Sequence, residues 1–273
     1  MKLYDCIIVN DELDLIDLRL REIGDLIDHL VVVEATHDWQ NNEKPLWFKE
    51  FGHRFNNYAA KIIHVVSKEF GEFPITEWSQ RRAIYEGVKD ADMTDMVMVS
   101  DVDEIPSREF VDWVKKYKPS TPVVAHQFLY YYWVNCRQKA NWFGTIAMPR
   151  GVGRLDIQQI RDTRNSLAAA QAWSPGGWHF SWMGGADGVR HKLGCHTVAD
   201  DAKAYGSKLP FVPGPDDIDH IKHCVETGAD LFNRTEDYAV KEFVPIQPGL
   251  THPTKINEWL EAHPQYLHVE VAV

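Results

Sequence analysis

The amino-acid sequence predicts an α/β fold with a mainly parallel central sheet flanked by helices. Short apolar runs alternate with segments of helical periodicity through the first half of the chain. Strands that alternate with helices in this way usually pair in parallel. Polar residues directly follow three of the apolar runs, and ligands gather beyond the carboxyl ends of the strands in such sheets. The sequence therefore predicts a functional site at this edge of the sheet.

The first half contains four predicted strands, at residues 3–10, 30–35, 61–66 and 96–100. Each is a nearly continuous apolar run, which is typical of a buried strand. A helix is predicted after the first strand because apolar residues recur at three- and four-residue steps, at Leu13, Ile16, Leu20, Ile23 and Ile27. A second helix is predicted over residues 77–91, before the fourth strand.

The second half of the chain is less regular. Its β-forming residues predict strands at 123–134, 142–148 and 177–182, and helices are predicted at 216–225 and 254–262. No internal repeat, low-complexity tract or linker interrupts the sequence, so the simplest interpretation is a single domain over residues 1–273. Residues 1–120 form its regular α/β part and residues 121–273 form the remainder.

The composition is that of a globular protein, with 44% hydrophobic and 25% charged residues. A formal charge of −11 argues against a nucleic-acid-binding protein, because phosphate contacts need clustered basic residues. A nucleotide ligand remains compatible if a bound cation neutralises its phosphates. The four cysteines lack C-x-x-C spacing, which predicts reduced and buried thiols. Residues 1–20 hold several acidic side chains, so we expect no signal peptide or membrane span and a cytoplasmic location.

The most informative motif follows the fourth predicted strand, where the apolar run leads into Asp101 to Glu104 (DVDE). Two aspartates separated by one residue can direct both carboxylates toward one cation when the backbone turns. Such oxygens suit Mg²⁺ or Mn²⁺, which stabilises the charge on a departing nucleoside diphosphate. Pro106 and Ser107 then predict the start of a helix. Ordinary turn chemistry also explains many D-x-D sequences, but the position after an apolar strand favours the functional interpretation.

A second cluster runs from Gly176 to His196 and combines glycines, aromatic residues and basic side chains. Glycines beside aromatic residues indicate close approach of the backbone to a ligand, with aromatic faces available to a sugar. The candidate metal ligands are His179, His191 and His196, and the candidate diphosphate partners are Arg190 and Lys192. Trp178 and Trp182 are more typical of a packed core, and a single histidine is more often structural.

The third feature is Ser79 to Arg82 (SQRR), within the helix before the fourth strand. Exposed arginines on a helix usually serve solubility. An arginine that faced the ligand edge of the sheet would instead bind a phosphate or a base. The spacing alone does not choose between Arg81 and Arg82.

Together these segments resemble glycosyltransferase family 17, the β-1,4-mannosyl-glycoprotein β-1,4-N-acetylglucosaminyltransferase family. The resemblance covers roughly residues 3–196, and the order and spacing of the matching stretches agree. The most specific matches are SDVDEIPS at Ser100–Ser107 and GWHFSW at Gly177–Trp182, with Lys192-Leu193 beyond them. The other matching stretches are Tyr4–Cys6, Asn10–Asp14, Leu18–Leu20, Val32–Thr36 and Lys44–Phe48.

The resemblance implies a GT-A-like fold in which residues 1–120 bind the nucleotide and residues 121–273 lie on the acceptor side. It implies inverting transfer from UDP-N-acetylglucosamine to a glycan or glycoconjugate, with Mn²⁺ or Mg²⁺ as cofactor. By similarity the metal ligands are Asp101, Asp103 and His179, and the donor contacts are Asn10, Glu34, Arg81, Asp101 and Lys192. Inverting transfer needs a carboxylate that accepts the proton of the attacking hydroxyl, and the candidates are Glu104 and Asp187.

The sequence departs from the family pattern at several points. Phe180 stands where vertebrate relatives usually have Cys, and Met183–Ala186 does not match their loop. The residues after about 200 match no pattern of the family. Vertebrate members carry an N-terminal membrane anchor, whereas we expect none here. These departures leave the acceptor undetermined.

Two other classes of protein stay open on sequence grounds. A nucleotidyltransferase or sugar-nucleotide hydrolase also uses an acidic metal turn beyond a parallel sheet, but couples the metal to a phosphate or water nucleophile. A non-catalytic carbohydrate-binding protein would stack sugars on some of the 10 Trp and 10 Tyr residues, although most of these should pack in the core or on the surface.

Overall fold

The computed structural model describes residues 1–67, 76–152, 157–195, 209–234 and 241–269. The predicted α/β class, a central sheet flanked by helices, is confirmed, and the sheet is mixed, with its parallel pairs among strands of the first half of the chain. The elements of the first half are β1 (Leu3–Val9), α1 (Leu13–Ile23), β2 (His29–Ala35), α2 (Trp47–Phe51), a 3-10 helix (Gly52–Lys61), β3 (Ile62–Ser67), α3 (Glu77–Arg82), α4 (Ile84–Gly87), β4 (Met96–Asp101), β5 (Glu104–Pro106) and α5 (Arg108–Tyr117).

The second half has longer strands and more widely spaced helices. Its elements are β6 (Val123–Tyr131), β7 (Cys136–Pro149), α6 (Ile157–Asp162), α7 (Arg164–Gln171), β8 (Ala172–Ser181), α8 (Gly185–Cys195), α9 (Ile218–Thr227), β9 (Lys241–Phe243), α10 (Ile256–Ala262) and a 3-10 helix (Pro264–Tyr266). The strands and helices that the sequence predicts in this half are therefore present, with β7 and β8 extending further than predicted.

Contacts divide the chain into two compact units. The first contains Met1–Gln127 and Phe143–Trp178, and the second contains Phe128–Trp142 and His179–Val273. The chain passes from one unit to the other within β6, β7 and β8. The single-domain organisation stays a prediction.

The strands form a sheet with the order β3-β2-β1-β4-β7-β6-β8-β5. Strands β1 to β4 pair in parallel, and β7 runs antiparallel to β4. The register places Ile8 opposite Asp101 and Val9 opposite Glu34. Because these residues end their strands or lie near the ends, the carboxyl ends of β1, β2 and β4 form one edge, as predicted.

Continuous burial explains why the apolar runs form the central strands. Every residue of β1 is buried, and β2 is buried from Leu30 onward. On one face of the sheet the core includes Cys6, Ile8, Val31, Val33, Val97, Val99, Ile84, Val88, Ile157 and Ile160. Burying one aliphatic side chain of this size stabilises a fold by about 1.5–3 kcal/mol. The predicted apolar stripe of α1, from Leu13 to Ile23, is buried as well.

The helix predicted over residues 77–91 is shorter than expected and is divided into α3 and α4 at Ala83. A capping box formed by Thr76 and Ser79 begins α3. Gly87 ends α4 where the chain passes close to β2, since a Cβ at this position would come within 2.2 Å of Val31 Cγ1. Tertiary packing against the sheet therefore sets the length of these helices.

The second unit has its own core, in which α8 and α9 pack with parts of β6 and β7. Its buried members include Leu129, Tyr132, Trp182, Val189, Leu193, Ile221 and Val225. Strand β9 pairs antiparallel with β7, with Phe243 opposite Cys136. Across the parts of the chain that the structure describes, no helix is long and apolar enough to cross a bilayer.

The four cysteines are free thiols, as predicted. Cys6, Cys136 and Cys224 are buried as predicted, whereas Cys195, near the end of α8, is only half-buried. Burial raises the pKa of Cys136 to about 12 and that of Cys224 to about 11. These thiols therefore act as small apolar side chains.

Candidate functional site

The acidic turn begins at Asp101, whose carboxylate is held by two arginines. Arg81 Nη2 lies 2.5 Å from Asp101 Oδ1, and Arg161 Nη2 lies 2.8 Å from Oδ2. Arg161 also donates to Glu104 Oε1 and, through Nη1, to the Gly144 carbonyl at 2.7 Å. Glu104 Oε2 accepts the backbone N–H of Asp101 at 3.1 Å. The turn is therefore closed by a network of charged side chains within the first unit.

The arginines of this network are buried, whereas Asp101 reaches solvent. The side chains of Arg81 and Arg161 are 0% and 1% exposed, and that of Asp101 is 32% exposed. Burial opposes ionisation of Asp101, but the charges of Arg161 and Arg81 outweigh it and hold the pKa of this carboxyl well below its ordinary value. Asp101 is therefore ionised at physiological pH, and its charge is balanced locally.

A third buried arginine, Arg19, supports the same turn. Arg19 Nε and Nη2 each lie 2.6 Å from a carboxylate oxygen of Asp5, and both side chains are fully buried. Arg19 also donates to Ser100 Oγ at 2.7 Å and to the Glu104 carbonyl at 2.9 Å. This network joins α1, β1 and the acidic turn, which gives a physical reason for three of the matching sequence stretches to occur together.

The end of the SDVDEIPS segment begins α5 and contacts β8. Ser107 Oγ accepts the N–H of Phe110 at 3.2 Å, so the predicted helix start is confirmed. The Ser107 N–H donates to the Gly176 carbonyl at 2.9 Å. Gly177 has φ of +139°, and a Cβ there would lie 2.1 Å from the Ile105 carbonyl oxygen. The close approach that Gly177 permits is therefore to β5, whereas a Cβ on Gly176 would lie 2.7 Å from Ala125 of β6.

Asn10 and Glu34 lie at the same sheet edge as Asp101, and their contacts there are internal. Glu34 accepts the backbone N–H groups of residues 48 and 49, each at 3.0 Å, and the Nε2 of His64 at 2.6 Å. The Asn10 carbonyl accepts Lys44 Nζ at 3.1 Å. The Glu34 carboxylate thus holds the start of α2, and a donor contact at either residue stays a prediction.

Gln80, to which the sequence assigns no role, closes the sheet edge between β1 and β2. Its Nε2 donates to the carbonyls of Val9 and Val33, both at 3.0 Å. Its Oε1 accepts the indole N–H of Trp39 at 3.1 Å. A single buried amide therefore joins α3, two strand ends and the loop after β2.

The fixed position of α3 also separates the two neighbouring arginines. Arg81 turns inward to Asp101, whereas the guanidinium of Arg82 lies 4.3 Å from the ring centre of Trp78, which is exposed. Of the two arginines that the spacing left open, Arg81 is therefore the one that reaches Asp101 at the carboxyl edge of the strands, and its contact with a donor stays a prediction.

The geometry of Asp101 does not fit a metal ligand. Both of its carboxylate oxygens already accept from guanidinium groups, and two nearby positive charges disfavour a cation at the same carboxylate. Among the residues described, no group of three or more His, Cys, Asp or Glu side chains is arranged to hold a metal ion. Asp103 lies in the turn between β4 and β5 and is buried. The contacts of Asp101 thus argue against one member of the predicted metal set Asp101, Asp103 and His179, and the roles of Asp103 and His179 stay predictions.

In the second unit, the predicted residues have different surroundings. The buried ring of His179 lies 4.8 Å from that of Trp142. Lys192 Nζ is 5.5 Å from the ring centre of Trp182, which packs in the core as the alternative interpretation predicts. Asp187 is exposed in the first turn of α8. The donor, metal and base roles of these residues stay predictions.

The remaining candidates of the second cluster have local contacts. Arg190 Nε donates to the Pro215 carbonyl at 3.2 Å, and His191 Nε2 lies 3.7 Å from Cys195 Sγ. His196 lies outside the described residues.

Sequence reasoning missed Arg161, which contacts the carboxylates of Asp101 and Glu104 in the acidic turn. Arg161 is 60 positions from Asp101 and lies in the less regular half. One signal was available, because Ile157, Ile160 and Arg161 occur at helical spacing and all three are buried in α6. An arginine on the apolar side of a short helix indicates a buried anionic partner.

Two solved structures with similar folds match this chain only weakly, with TM-scores below 0.5. A 4-diphosphocytidyl-2C-methyl-D-erythritol synthase has a TM-score of 0.40 at 14% identity, covering 64% of this chain and 88% of its own. A glucosyl-3-phosphoglycerate synthase from M. tuberculosis has a TM-score of 0.34 at 14% identity, covering 66% and 70%. At these values neither similarity bears on activity.

Sequence relatives give a clearer result. The β-1,4-mannosyl-glycoprotein 4-β-N-acetylglucosaminyltransferases of Rattus norvegicus and Homo sapiens are each 26% identical over 285 residues, or 91% of this chain and 51% of the relative. The chain spans about half the length of these curated relatives. The model of glycosyltransferase family 17 matches residues 1–250, which is most of the chain. The chain therefore belongs to glycosyltransferase family 17.

Proposed function

We propose that this chain is an inverting glycosyltransferase that moves N-acetylglucosamine from UDP-N-acetylglucosamine to a hydroxyl of a glycan or glycoconjugate. The observation that carries the proposal is the acidic turn of a family 17 chain, which lies at the carboxyl edge of the parallel strands. This edge is where α/β sheets bind their ligands. The named relatives are N-acetylglucosaminyltransferases, which supports this sugar as the one transferred.

The proposed reaction requires one carboxylate as general base. The acceptor oxygen attacks the anomeric carbon, the bond from that carbon to the diphosphate breaks, and the base takes the hydroxyl proton as UDP leaves. Glu104 is fully buried and bonded to Arg161 and to the Asp101 N–H, which suits it to fixing the turn. Asp187 is exposed and therefore open to proton exchange. We assign the base to Asp187.

Divalent-cation dependence is part of the proposal on the strength of the sequence alone. Since the Asp101 carboxylate is occupied by two arginines, no step of the reaction is assigned to the cation. Addition of EDTA, followed by titration with Mn²⁺ or Mg²⁺, tests the dependence. Unchanged UDP release in EDTA would remove the cation from the proposal.

The experiment that tests the function measures UDP release from a panel of UDP-sugars, with and without candidate glycan acceptors. We expect release from UDP-N-acetylglucosamine that depends on the acceptor. Replacement of Asp187 by Asn should lower this rate about 100-fold or more, as expected for loss of a general base. Asp219→Asn is the matched control, because Asp219 is also exposed in the first turn of a helix, α9.

The outcomes separate the alternative classes. Acceptor-independent release of UDP or of a nucleoside monophosphate would indicate a hydrolase or nucleotidyltransferase. Sugar binding without turnover of any donor would indicate a carbohydrate-binding protein. If Asp187→Asn were as active as Asp219→Asn, the transferase function would stand but the assignment of the base would be wrong.

The cytoplasmic location that the sequence predicts also remains a proposal, which fractionation of expressing cells would test.

A further inference from the structure

Two buried arginines at the acidic turn have hydrogen-bond donors that are not used. Arg81 shares its terminal nitrogens among Glu77, Gln158 and Asp101. In the part of the chain that the structure describes, the Nε groups of Arg81 and Arg161 are both buried without a hydrogen-bond partner. Such donors are uncommon in folded proteins, and each needs an explanation such as a bound water, ion or ligand.

The charges at this turn are arranged with the carboxylate facing solvent. Asp101 is 32% exposed, whereas Arg81 and Arg161 are 0% and 1% exposed. Asp101 is thus the more accessible partner of the two arginines, and each of its two carboxylate oxygens accepts a hydrogen bond from one guanidinium group. Guanidinium binds carboxylate and phosphate oxygens with the same forked geometry. An anion with more acceptor oxygens than a carboxylate would satisfy more of the available donors.

We propose that Asp101 holds the place of a phosphate group, and that a diphosphate displaces its carboxylate from Arg81 and Arg161. Arg161, which lies outside the matching sequence stretches, then becomes a donor-binding residue together with Arg81. The inference rests on the proposed function in one respect, namely that the diphosphate belongs to a nucleotide sugar. It gives Asp101 a role opposite to that of a metal ligand, since its carboxylate competes with the donor.

Two other roles for Asp101 predict different effects of Asp101→Asn on the affinity for the anion. If Asp101 bound a cation that bridges to the diphosphate, Asp101→Asn would weaken binding of the anion. If the network served only the fold, Asp101→Asn would leave anion binding unchanged. If Asp101 competes with the anion, Asp101→Asn should tighten binding, because a neutral amide holds the guanidinium groups less strongly than a carboxylate does.

The test is isothermal titration of the full chain with pyrophosphate and with UDP, in buffer containing EDTA. We expect Asp101→Asn to bind both anions on the order of fivefold more tightly, the effect of losing one partly exposed charge. Asp25→Asn is the matched control, because Asp25 forms a two-bonded pair with Arg108 at 2.7 Å and its loss changes the net charge equally. This control should leave both affinities within about twofold of the wild type. Weaker or unchanged binding by Asp101→Asn would overturn the proposal.

The double variant Asp101→Asn with Arg161→Gln tests the arginine directly. Glutamine retains an amide that can donate to Glu104, and circular dichroism checks that the fold is kept. We expect the gain in affinity to be lost in this variant. A folded double variant that binds pyrophosphate as tightly as Asp101→Asn would overturn the assignment of Arg161.

The two proposals fail separately. If the anion affinities change as expected but no sugar is transferred, the anion site stands and the transferase function fails. If sugar is transferred but Asp101→Asn weakens pyrophosphate binding, the function stands and the inference fails.

Discussion

Replacement of Arg19 by Met should destabilise the chain strongly, because it leaves the buried carboxylate of Asp5 without its partner. Asp5 and Arg19 are both fully buried and joined by two contacts of 2.6 Å. Removing one member of such a pair is unfavourable by about 3–5 kcal/mol. Ser100 Oγ and the Glu104 carbonyl also lose their Arg19 donors. A loss of at least about 4 kcal/mol is expected, a large part of the 5–15 kcal/mol that typically stabilises a domain.

A double-mutant cycle separates the ion pair from the other contacts of Arg19. Asp5→Asn, Arg19→Met and the double variant are compared by urea unfolding, followed by circular dichroism. Because the double variant contains no unpaired buried charge, it should be about 2 kcal/mol more stable than the sum of the single losses implies. Additive losses, with coupling below about 0.5 kcal/mol, would refute the account of this network.

Arg21→Met is the control on the same helix. Arg21 pairs with Asp17 at 2.8 Å, but this pair is partly exposed. The loss should therefore stay within about 0.5 kcal/mol. A large loss here would mean that substitutions in α1 act through the helix and not through the buried pair.

Three further predictions concern stability and are checked by thermal or urea unfolding. Gly177→Ala should destabilise by more than about 3 kcal/mol through its positive φ and the 2.1 Å approach to Ile105, whereas Gly194→Ala, with open space around it, should not. Gln80→Met should lower stability by about 2–4 kcal/mol because it removes two buried carbonyl contacts and one indole contact. Burial lowers the pKa of His252 from 6.5 to about 4. The neutral ring therefore contributes fully to the free energy of unfolding above about pH 6.5, and this contribution, about 3 kcal/mol, is lost as the pH falls toward 4. His252→Gln should remove this part of the pH dependence, and an unchanged slope between about pH 5 and pH 7 would contradict it.

Strands β1, β2 and β4 could be predicted from the sequence because their apolar runs are buried almost without interruption. The first and fourth predicted strands agree with β1 and β4 to within one residue. The helix over residues 77–91 could not be delimited in this way. Its division into α3 and α4 depends on the close packing of Gly87 against Val31, two residues far apart in the sequence.

The site was predictable in position and less so in its partners. The register of parallel strands brings Glu34 and Asp101 to one edge, and this follows from the strand pattern. The strand pattern does not predict that Glu34 accepts backbone N–H groups of α2. A carboxylate at the end of a strand looks the same in the sequence whether its hydrogen-bond donors come from the protein or from a ligand. The pairing of Arg161 with Asp101 depends on where α6 packs, which no local spacing records.

The acidic motif shows why a specific sequence match does not by itself identify ligand contacts. Ser100 is held by Arg19, Glu104 by Arg161 and the Asp101 N–H, and Ser107 caps α5. Substitutions at these positions would lower activity through the shape of the turn, even if none of the side chains touched the donor. Activity loss alone therefore cannot assign a donor contact within this motif. Anion affinity can assign such a contact when it is measured on variants of known stability. A change in the fold then appears in the free energy of unfolding, and a change in charge at the site appears in the anion affinity.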